Sequence, residues 1–225
     1  MSLAIPVPTP PHIPLEALLG EMWRSVQGRR VLIGGHLAVA AATLFSGLLV
    51  SQKSQVLFVD GANAFDPYIV ARYARRIGLH PKDILDREGF LLSRAFTCHQ
   101  LTILLEERVL KRLEKGTTLL IVSGPFNTFM DESVPWREVK ALFRRLQKAL
   151  LRIGQQAPFL LAQPPVHGSK ERRLLLRELT SLVETVAWVE EDEQGPRVRV
   201  MKPVRNVLRP GKEGNLALLR NREEM

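Results

Sequence analysis

Short apolar runs recur along the chain, and the segments between them have the spacing of helices. Such runs lack the alternation of a strand with one face in water and are typical of strands buried on both faces of a parallel sheet. Five strands are predicted, at residues 31–34, 56–59, 90–95, 119–122 and 159–162.

Helical spacing or a helix-start signal follows the strands. Residues 36–50 are almost wholly apolar, which predicts a buried helix. Asp66 before Pro67 forms an N-cap with a first-turn proline, and Thr97-x-x-Gln100 forms a capping box. A basic helix is predicted over residues 136–153. This alternation predicts an α/β fold with a mostly parallel, doubly wound sheet and right-handed crossovers.

The sequence changes character after the fifth strand. Pro164 and Pro165 precede a basic helix, and two strand-like runs follow at residues 183–190 and 197–202. The residues Glu-Gln-Gly-Pro between these runs favour a turn. We therefore predict a C-terminal antiparallel hairpin at the edge of the sheet.

The predicted domain organisation is one core with two appendages. The chain has 225 residues and is 45% hydrophobic, which is enough to bury the core of one α/β domain. Five prolines in the opening segment predict a flexible, extended arm over residues 1–14. A helical pattern begins at Leu15 and ends near Gly28. The core is predicted over residues 15–205, and a basic tail over residues 206–225.

Residues 31–50 carry no formal charge, so a membrane-spanning helix is the alternative to a buried strand and helix. Gly34 and Gly35 interrupt this stretch near one end, and charged, regularly patterned sequence follows Lys53. We therefore expect no membrane segment. Cys98 is the only cysteine, which excludes an intramolecular disulfide and a cysteine-rich metal site and suits a reducing, cytoplasmic environment.

The charge of the chain favours an acidic partner. The net charge is +9, and residues 194–225 supply +5 of it, with eight Lys or Arg against three Glu. Nucleic acid is the common partner of a soluble basic domain, whereas a solubilising tail is the alternative explanation of the same charge.

The glycine turn after the first strand stands where a phosphate-binding loop would be expected. A working loop reads G-x-x-x-x-G-K-[ST], and counted from Gly35 its last three positions are Ala40, Ala41 and Ala42. Shifting the count by one brings Thr43 to the hydroxyl position but supplies no lysine. No side chain of this turn can therefore neutralise the β- and γ-phosphates.

Four further segments resemble the RecA/RadA-type recombinases and their paralogues. FVDGANAFDP (58–67) resembles the segment that places the water-activating carboxylate in active members. LLSRAFTCHQLTILLEE (91–107) is the most specific match, to the Arg-Ala-Phe strand and His-Gln helix start. LLIVSGPF (119–126) resembles the Walker B strand, and FLLAQ (159–163) resembles the strand that ends in a nucleotide-sensing glutamine. The resemblance covers roughly residues 30–205 and implies a RecA-like P-loop NTPase fold.

The same resemblance marks the parts of ATP hydrolysis that this chain lacks. Active members carry a glutamate where this chain has Ala62, and the Walker B aspartate where it has Ser123. Ala41 and Ala42 stand in place of the loop lysine and the magnesium-binding hydroxyl. Phosphoryl transfer needs charge neutralisation, a metal anchor and a positioned water. We therefore predict a pseudo-ATPase with no catalytic and no metal-binding residues.

Nucleotide binding without hydrolysis stays open, because backbone N–H groups at a helix start can receive a phosphate. The candidate nucleotide-binding residues are Gly34, Gly35, His36 and Gln163. No cofactor is predicted, and weak ATP binding is left open. Asp60 is predicted to cap the turn that follows its strand.

Cys98 and His99 stand next to each other at a predicted helix start. Neighbouring residues point about 100° apart around a helix. We therefore expect the two side chains not to face each other and not to form a nucleophile with its base.

A basic stretch follows Gln163, where the recombinase family has the loop that holds single-stranded DNA. Together with the hairpin it supplies the candidate DNA-binding residues Lys170, Arg172, Arg173, Arg177, Arg197, Arg199 and Lys202. The loop has no aromatic residue to stack on bases, so contacts to phosphates are expected. A second basic stripe is predicted to be a solvated helix face: Lys140, Arg144, Lys148 and Arg152.

These observations predict a non-hydrolysing RecA-like protein of DNA recombination or repair. Its expected partners are DNA, with single strands preferred, and a RecA-family recombinase or another repair protein. One alternative is an ATP-binding, DNA-stimulated ATPase of the RecA family. A second is an assembly scaffold that makes no DNA contact, and assembly as a homo- or hetero-oligomer is left open.

Overall fold

The computed structural model of the chain describes residues 30–86, 88–113, 119–167, 169–192 and 195–202. The predicted arm, the predicted helix that begins at Leu15 and the basic tail lie outside the described residues.

Seven strands form one sheet. They are β1 (Arg30–Gly34), β2 (Val56–Asp60), β3 (Phe90–Arg94), β4 (Leu119–Ser123), β5 (Phe159–Gln163), β6 (Thr185–Asp192) and β7 (Gly195–Lys202). The strand order is β3-β2-β4-β5-β1-β6-β7. All neighbours from β3 to β6 are parallel, whereas β7 is antiparallel to β6.

The five predicted strands match β1 to β5 to within one residue at each end. Every residue of β2, β4 and β5 is buried, because these central strands have helices on both faces. The edge strand β3 instead alternates in burial, and Leu92 is exposed. The prediction of an α/β fold with a mostly parallel sheet is confirmed.

Seven α-helical segments surround the sheet in the described part of the chain. They are α1 (Ala38–Ser51), α2 (Pro67–Arg76), α3 (Lys82–Leu85), α4 (Cys98–Ile103), α5 (Leu110–Leu113), α6 (Trp136–Gln156) and α7 (Lys170–Ser181). α2 begins at the predicted cap, where the carboxylate of Asp66 accepts from the N–H of Tyr68 at 2.8 Å. Ser169 caps α7 in the same way.

A π-helical segment, Leu104–Val109, separates α4 from α5. The buried residues Leu101, Leu105 and Val109 recur every four positions, a spacing longer than the 3.6 residues of an α-helical turn. A π turn holds more residues, so it keeps these three side chains on the face that packs against the sheet.

The two faces of the sheet carry separate cores. α1, α2 and α3 cover one face, where Phe45, Phe58 and Phe65 pack together with Val31 and Ile33 of β1. The second face is covered by α4, α5, α6 and α7. Its core includes the aromatic residues Phe126, Phe129, Phe143 and Phe159. The sheet is therefore doubly wound, as predicted.

The uncharged stretch over residues 31–50 is divided between β1 and α1, with Gly35 in the turn between them. α1 lies against the sheet with ten of its residues buried, which explains its apolar composition. No helix in the described part of the chain combines the length and the apolar character needed to cross a membrane.

Beyond α7, β6 pairs with β1 in parallel and with β7 in antiparallel register. Trp188 lies opposite Gly34 on one side and opposite Arg199 on the other. Residues 193–194, which connect β6 to β7, lie outside the described residues.

Candidate functional site at the carboxyl edge of the sheet

The carboxyl ends of the parallel strands meet along one edge of the sheet, where ligands of open α/β folds bind. The register aligns Asp60 with Arg94 on one side and with Ser123 on the other. Gly34 is aligned with Gln163. These five residues define what we call the carboxyl edge.

The turn between β1 and α1 is tighter than a phosphate-binding loop. α1 begins at Ala38, so positions that would lie inside the loop are already helical. The N–H of Gly35 donates to the carbonyl of Gln163 at 3.2 Å, and the N–H of Ala38 donates to the carbonyl of Gly35 at 3.1 Å. Gly35 has a φ of 114°, which favours glycine. Of the predicted nucleotide-binding residues, only His36 is exposed in this turn.

Trp188 fills the space beside the glycine turn. A Cβ atom on Gly34 would overlap Cζ3 of the indole, and a Cβ atom on Gly35 would lie 3.3 Å from Nε1. It would also overlap the carbonyl oxygen of Val189. The two ends of the indole therefore lie against successive glycines. Close packing against β6 therefore explains why both positions require glycine, and no bound phosphate is needed to explain it.

The positions that correspond to the missing lysine and hydroxyl lie in the core. Ala41 and Ala42 have no exposed surface, and neither does Thr43. The hydroxyl of Thr43 has no hydrogen-bond partner among the described residues. A lysine ammonium at either alanine would be desolvated, which is costly without a partner. The beginning of α1 is thus part of the hydrophobic core and does not form a phosphate-binding loop.

Asp60 is fully buried, and its carboxylate organises the loops beside it. Oδ1 accepts from the N–H of Ala64 at 3.2 Å and from the hydroxyl of Ser123 at 2.6 Å, while Oδ2 accepts from the N–H of Phe65 at 3.0 Å. Nε of Arg94 lies 3.6 Å from Oδ2. The predicted capping role is confirmed, and the hydroxyl of Ser123 is engaged by Asp60.

The loops that follow β2 and β4 are packed against each other. The N–H groups of Gly61 and Ala62 donate to the carbonyl of Ser123 at 2.8 and 3.1 Å. Gly124 has a φ of 53°, and a Cβ atom there would lie 2.6 Å from Cβ of Ala62. The position at which the recombinase resemblance places a glutamate is therefore pressed against the neighbouring loop.

Gln163 uses its side chain to hold the loop after β4. Its Oε1 accepts from the N–H of Phe126 at 2.9 Å. Its Nε2 donates to Oδ1 of Asn127 at 2.8 Å and to the carbonyl of Pro164 at 2.7 Å. Both N–H donors of the amide are therefore engaged within the protein, and the side chain is 3% exposed.

The expectation that Cys98 and His99 do not face each other is wrong. Sγ of Cys98 lies 3.7 Å from Nδ1 of His99, and Nε2 of His99 lies 2.7 Å from Oε1 of Glu138. The expectation considered only the directions in which neighbouring side chains leave a helix. In the structure, the hydrogen bond to Glu138 of α6 orients the imidazole so that its Nδ1 lies near the thiol.

This contact does not make the thiol reactive. Cys98 has no exposed surface, and burial raises the pKa of its thiol. The thiol is therefore protonated near neutral pH and inaccessible to a substrate. The conclusion from the sequence, that this pair is not a nucleophile with its base, still holds.

Arg172 differs from the other predicted DNA-binding residues because it is buried, with 6% of its surface exposed. Nη1 donates to the carbonyl of Phe129 at 2.6 Å, and Nη2 donates to the carbonyl of Val134 at 2.7 Å. Both carbonyls belong to the loop between β4 and α6. Position 172 is buried because it shares a helix face with Leu175. The structure thus corrects the prediction for Arg172, whose guanidinium holds this loop.

The other basic residues of α7 are open to solvent. Lys170, Arg173 and Arg177 are exposed, and so is Arg199 on β7. The predicted residues Arg197 and Lys202 also lie on β7, but their side chains are outside the described part of the chain. The stripe on α6 is exposed along its length, as predicted: Lys140, Arg144, Lys148 and Arg152.

Two clefts of the described surface are lined by residues other than those that define the carboxyl edge. One of about 280 Å³ lies between β3 and the π-helical segment, where Leu91 and Arg108 contribute to its walls. Another, of about 550 Å³, is lined by residues that include Lys53 and Asp83. Within the described ranges, no group of three or more His, Cys, Asp or Glu residues is placed to hold a metal ion.

Comparison with known proteins adds no assignment. No model of a known protein family matches the chain, and no curated protein matches it.

Proposed function

We propose that this protein is a non-hydrolysing RecA-like protein that supports DNA recombination or repair. It binds DNA, single strands in preference to duplex, and works with a recombinase partner. The observation that carries the proposal is the pairing of a closed glycine turn at the carboxyl edge with an exposed basic surface beside it.

Loss of hydrolysis is supported at each position that the recombinase family uses for it. Ala41 and Ala42 are inside the core, and Ala62 is pressed against Gly124. The hydroxyl of Ser123 donates to Asp60. We therefore expect that restoring one side chain would not restore a site, because all four positions are packed or hydrogen-bonded within the protein.

DNA binding is supported by the charge and by its placement. Lys170, Arg173 and Arg177 project from a helix that begins beside the carboxyl edge. Arg199 is exposed on the adjoining hairpin. Phosphate contacts of this kind release condensed counterions, so the affinity falls steeply with salt.

Fluorescence anisotropy of labelled single- and double-stranded DNA over a salt series tests the proposal. We expect tighter binding to the single strand and a linear fall of log K with log[salt], with a slope of about −0.7 per phosphate contacted. Replacing Arg173 and Arg177 together by glutamate should weaken binding to the single strand about tenfold or more and lower the magnitude of its salt slope by about 1.4.

The matched control changes Arg144 and Lys148 of α6, which are also exposed and four residues apart, to glutamate. This control alters the net charge equally, so it separates a local interface from general attraction. Equal losses in both variants, or no binding by the wild-type protein at low salt, would contradict DNA binding through α7.

Turnover of ATP with magnesium, measured with and without DNA, tests the loss of hydrolysis. We expect no turnover above that of a mock preparation. DNA-stimulated turnover that copurifies with the folded protein would refute the pseudo-ATPase assignment.

A further inference from the structure

Trp188 is an exposed aromatic residue of the hairpin, in which β6 ends in Glu190, Glu191 and Asp192 and β7 carries Arg197, Arg199 and Lys202. Its side chain is 38% exposed on β6, directly opposite Arg199 of β7. Residues directly opposite each other on neighbouring strands lie on the same face of a sheet. The indole and an exposed guanidinium group therefore belong to one surface.

That surface lies on the same side of the sheet as α7. Val186 of β6 packs against the core that contains Leu32 of β1 and Leu175 of α7. Side chains two positions apart on a strand share a face, so Trp188 lies on the face of Val186. Trp188 is also in register with Gly34, at the end of the sheet where α7 begins.

Arg173 lies on the solvent-facing side of α7. Glu178 faces α6, because its carboxylate accepts from the amide of Gln147 at 3.2 Å. At 100° per residue, the buried positions Arg172 and Leu175 lie between Glu178 and Arg173 around the helix. Arg173 therefore points to solvent, about 140° around the helix from Glu178.

The indole is held in place by the fold. Its two ends lie against the adjacent glycines of the turn after β1, where neither residue has a side chain. A ring that packs against backbone on one side and is 38% exposed loses little rotamer freedom when it stacks on a partner. Aromatic side chains beside a positive groove are the stacking platforms of proteins that bind single-stranded nucleic acid.

We propose that Trp188 stacks on an unpaired base of single-stranded DNA whose phosphates are held by Arg173 and Arg199. The inference rests on the proposed DNA binding and goes further, because it names the residue that selects single strands. Duplex bases are already stacked on each other, so they offer no free face to the indole. The loop after Gln163 has no aromatic residue, and β6 supplies one.

An oligo(dT) strand and an abasic strand of equal length separate stacking from phosphate contact. We expect the wild-type protein to bind oligo(dT) about tenfold more tightly than the abasic strand. The change Trp188→Ala should weaken oligo(dT) binding about tenfold and leave abasic binding unchanged. Arg173→Glu should weaken binding to both strands, because both carry the phosphates.

Two further variants control for the fold. Trp188→Phe keeps a ring that can stack and should retain most of the affinity for oligo(dT). Phe96→Ala removes an aromatic side chain that is 63% exposed. Phe96 follows β3, the edge strand on the side of the sheet opposite to the hairpin. This change should leave the affinity for both strands unchanged.

The outcomes distinguish the inference from the function on which it rests. Wild-type protein that binds neither strand contradicts DNA binding itself. Wild-type protein that binds both strands equally, or Trp188→Ala protein that keeps its preference for oligo(dT), overturns the stacking role while DNA binding stands. Tighter binding to oligo(U) than to oligo(dT) would contradict the assignment to DNA.

Discussion

Replacing Arg172 and Arg173 separately by alanine is expected to separate stability from DNA binding. The two arginines are adjacent in sequence and have the same charge. Arg172 is 6% exposed and donates to the carbonyls of Phe129 and Val134. Arg173 is exposed to solvent on α7. Arg172→Ala should destabilise the fold, and Arg173→Ala should weaken DNA binding.

The magnitude follows from the two hydrogen bonds of Arg172. A hydrogen bond from a charged donor contributes about 1.5–3 kcal/mol. Val134 is half-buried. Water can therefore hydrogen-bond to its carbonyl in place of Arg172 and recover part of the lost free energy. We therefore expect Arg172→Ala to lower the free energy of unfolding by about 3 kcal/mol. Arg173→Ala, at an exposed position, should change it by less than about 0.5 kcal/mol.

Urea denaturation, followed by circular dichroism, measures both effects. With a slope of about 2 kcal/mol per molar urea, the midpoint of Arg172→Ala should fall by about 1.5 M. The melting temperature should fall by roughly 6–12 °C. Arg172→Lys keeps the charge but reaches only one carbonyl, so we expect about half of these shifts.

The reasoning would be refuted by equal midpoints for Arg172→Ala and wild type, or by equal losses in the two alanine variants. A loss of DNA affinity in folded Arg172→Lys that matches the loss in Arg173→Ala would also refute it, because the guanidinium of Arg172 would then have a role outside the fold.

The glycine turn and the buried thiol supply two more predictions. Gly34→Ala should cost about 1–3 kcal/mol of stability because its Cβ would overlap the indole of Trp188, and a Trp188→Ala background should remove most of that cost. Equal costs in the two backgrounds, measured by urea denaturation, would contradict this packing. Burial raises the pKa of Cys98 in the folded state, so the wild-type protein should lose stability relative to Cys98→Ala as the pH rises above about 8.5. A stability difference that stays constant between about pH 7.5 and 9.5 would show that the thiol titrates alike in both states.

The strands were predictable because their signal is local. A short apolar run identifies a strand buried on both faces, and the helix signals at Asp66 and Thr97 mark where the following helices begin. The π-helical segment was harder to predict. Its buried residues Leu101, Leu105 and Val109 are four positions apart, which differs only slightly from the 3.6 residues per turn of an α-helix.

The candidate site was predictable only in part. The missing lysine follows directly from the residues after Gly35, but the sequence does not show that Ala41 and Ala42 are in the core. Trp188 has no sequence signal of its own, since an aromatic residue within a strand-like run is typical of a core. The register of β6 against β1 places it over the glycine turn instead.

The order of residues is sufficient for the α/β class, for the positions of strands and helices, for the missing phosphate-loop lysine and for the basic charge. These properties depend on neighbours within a few positions, through periodicity, capping and composition. Which of two adjacent arginines holds a loop, and which aromatic ring covers the glycine turn, depends on packing between segments far apart in the chain. Arg172 meets carbonyls about forty residues away, and Trp188 meets a turn more than 150 residues away. Only the paired strands and packed helices bring such partners into contact.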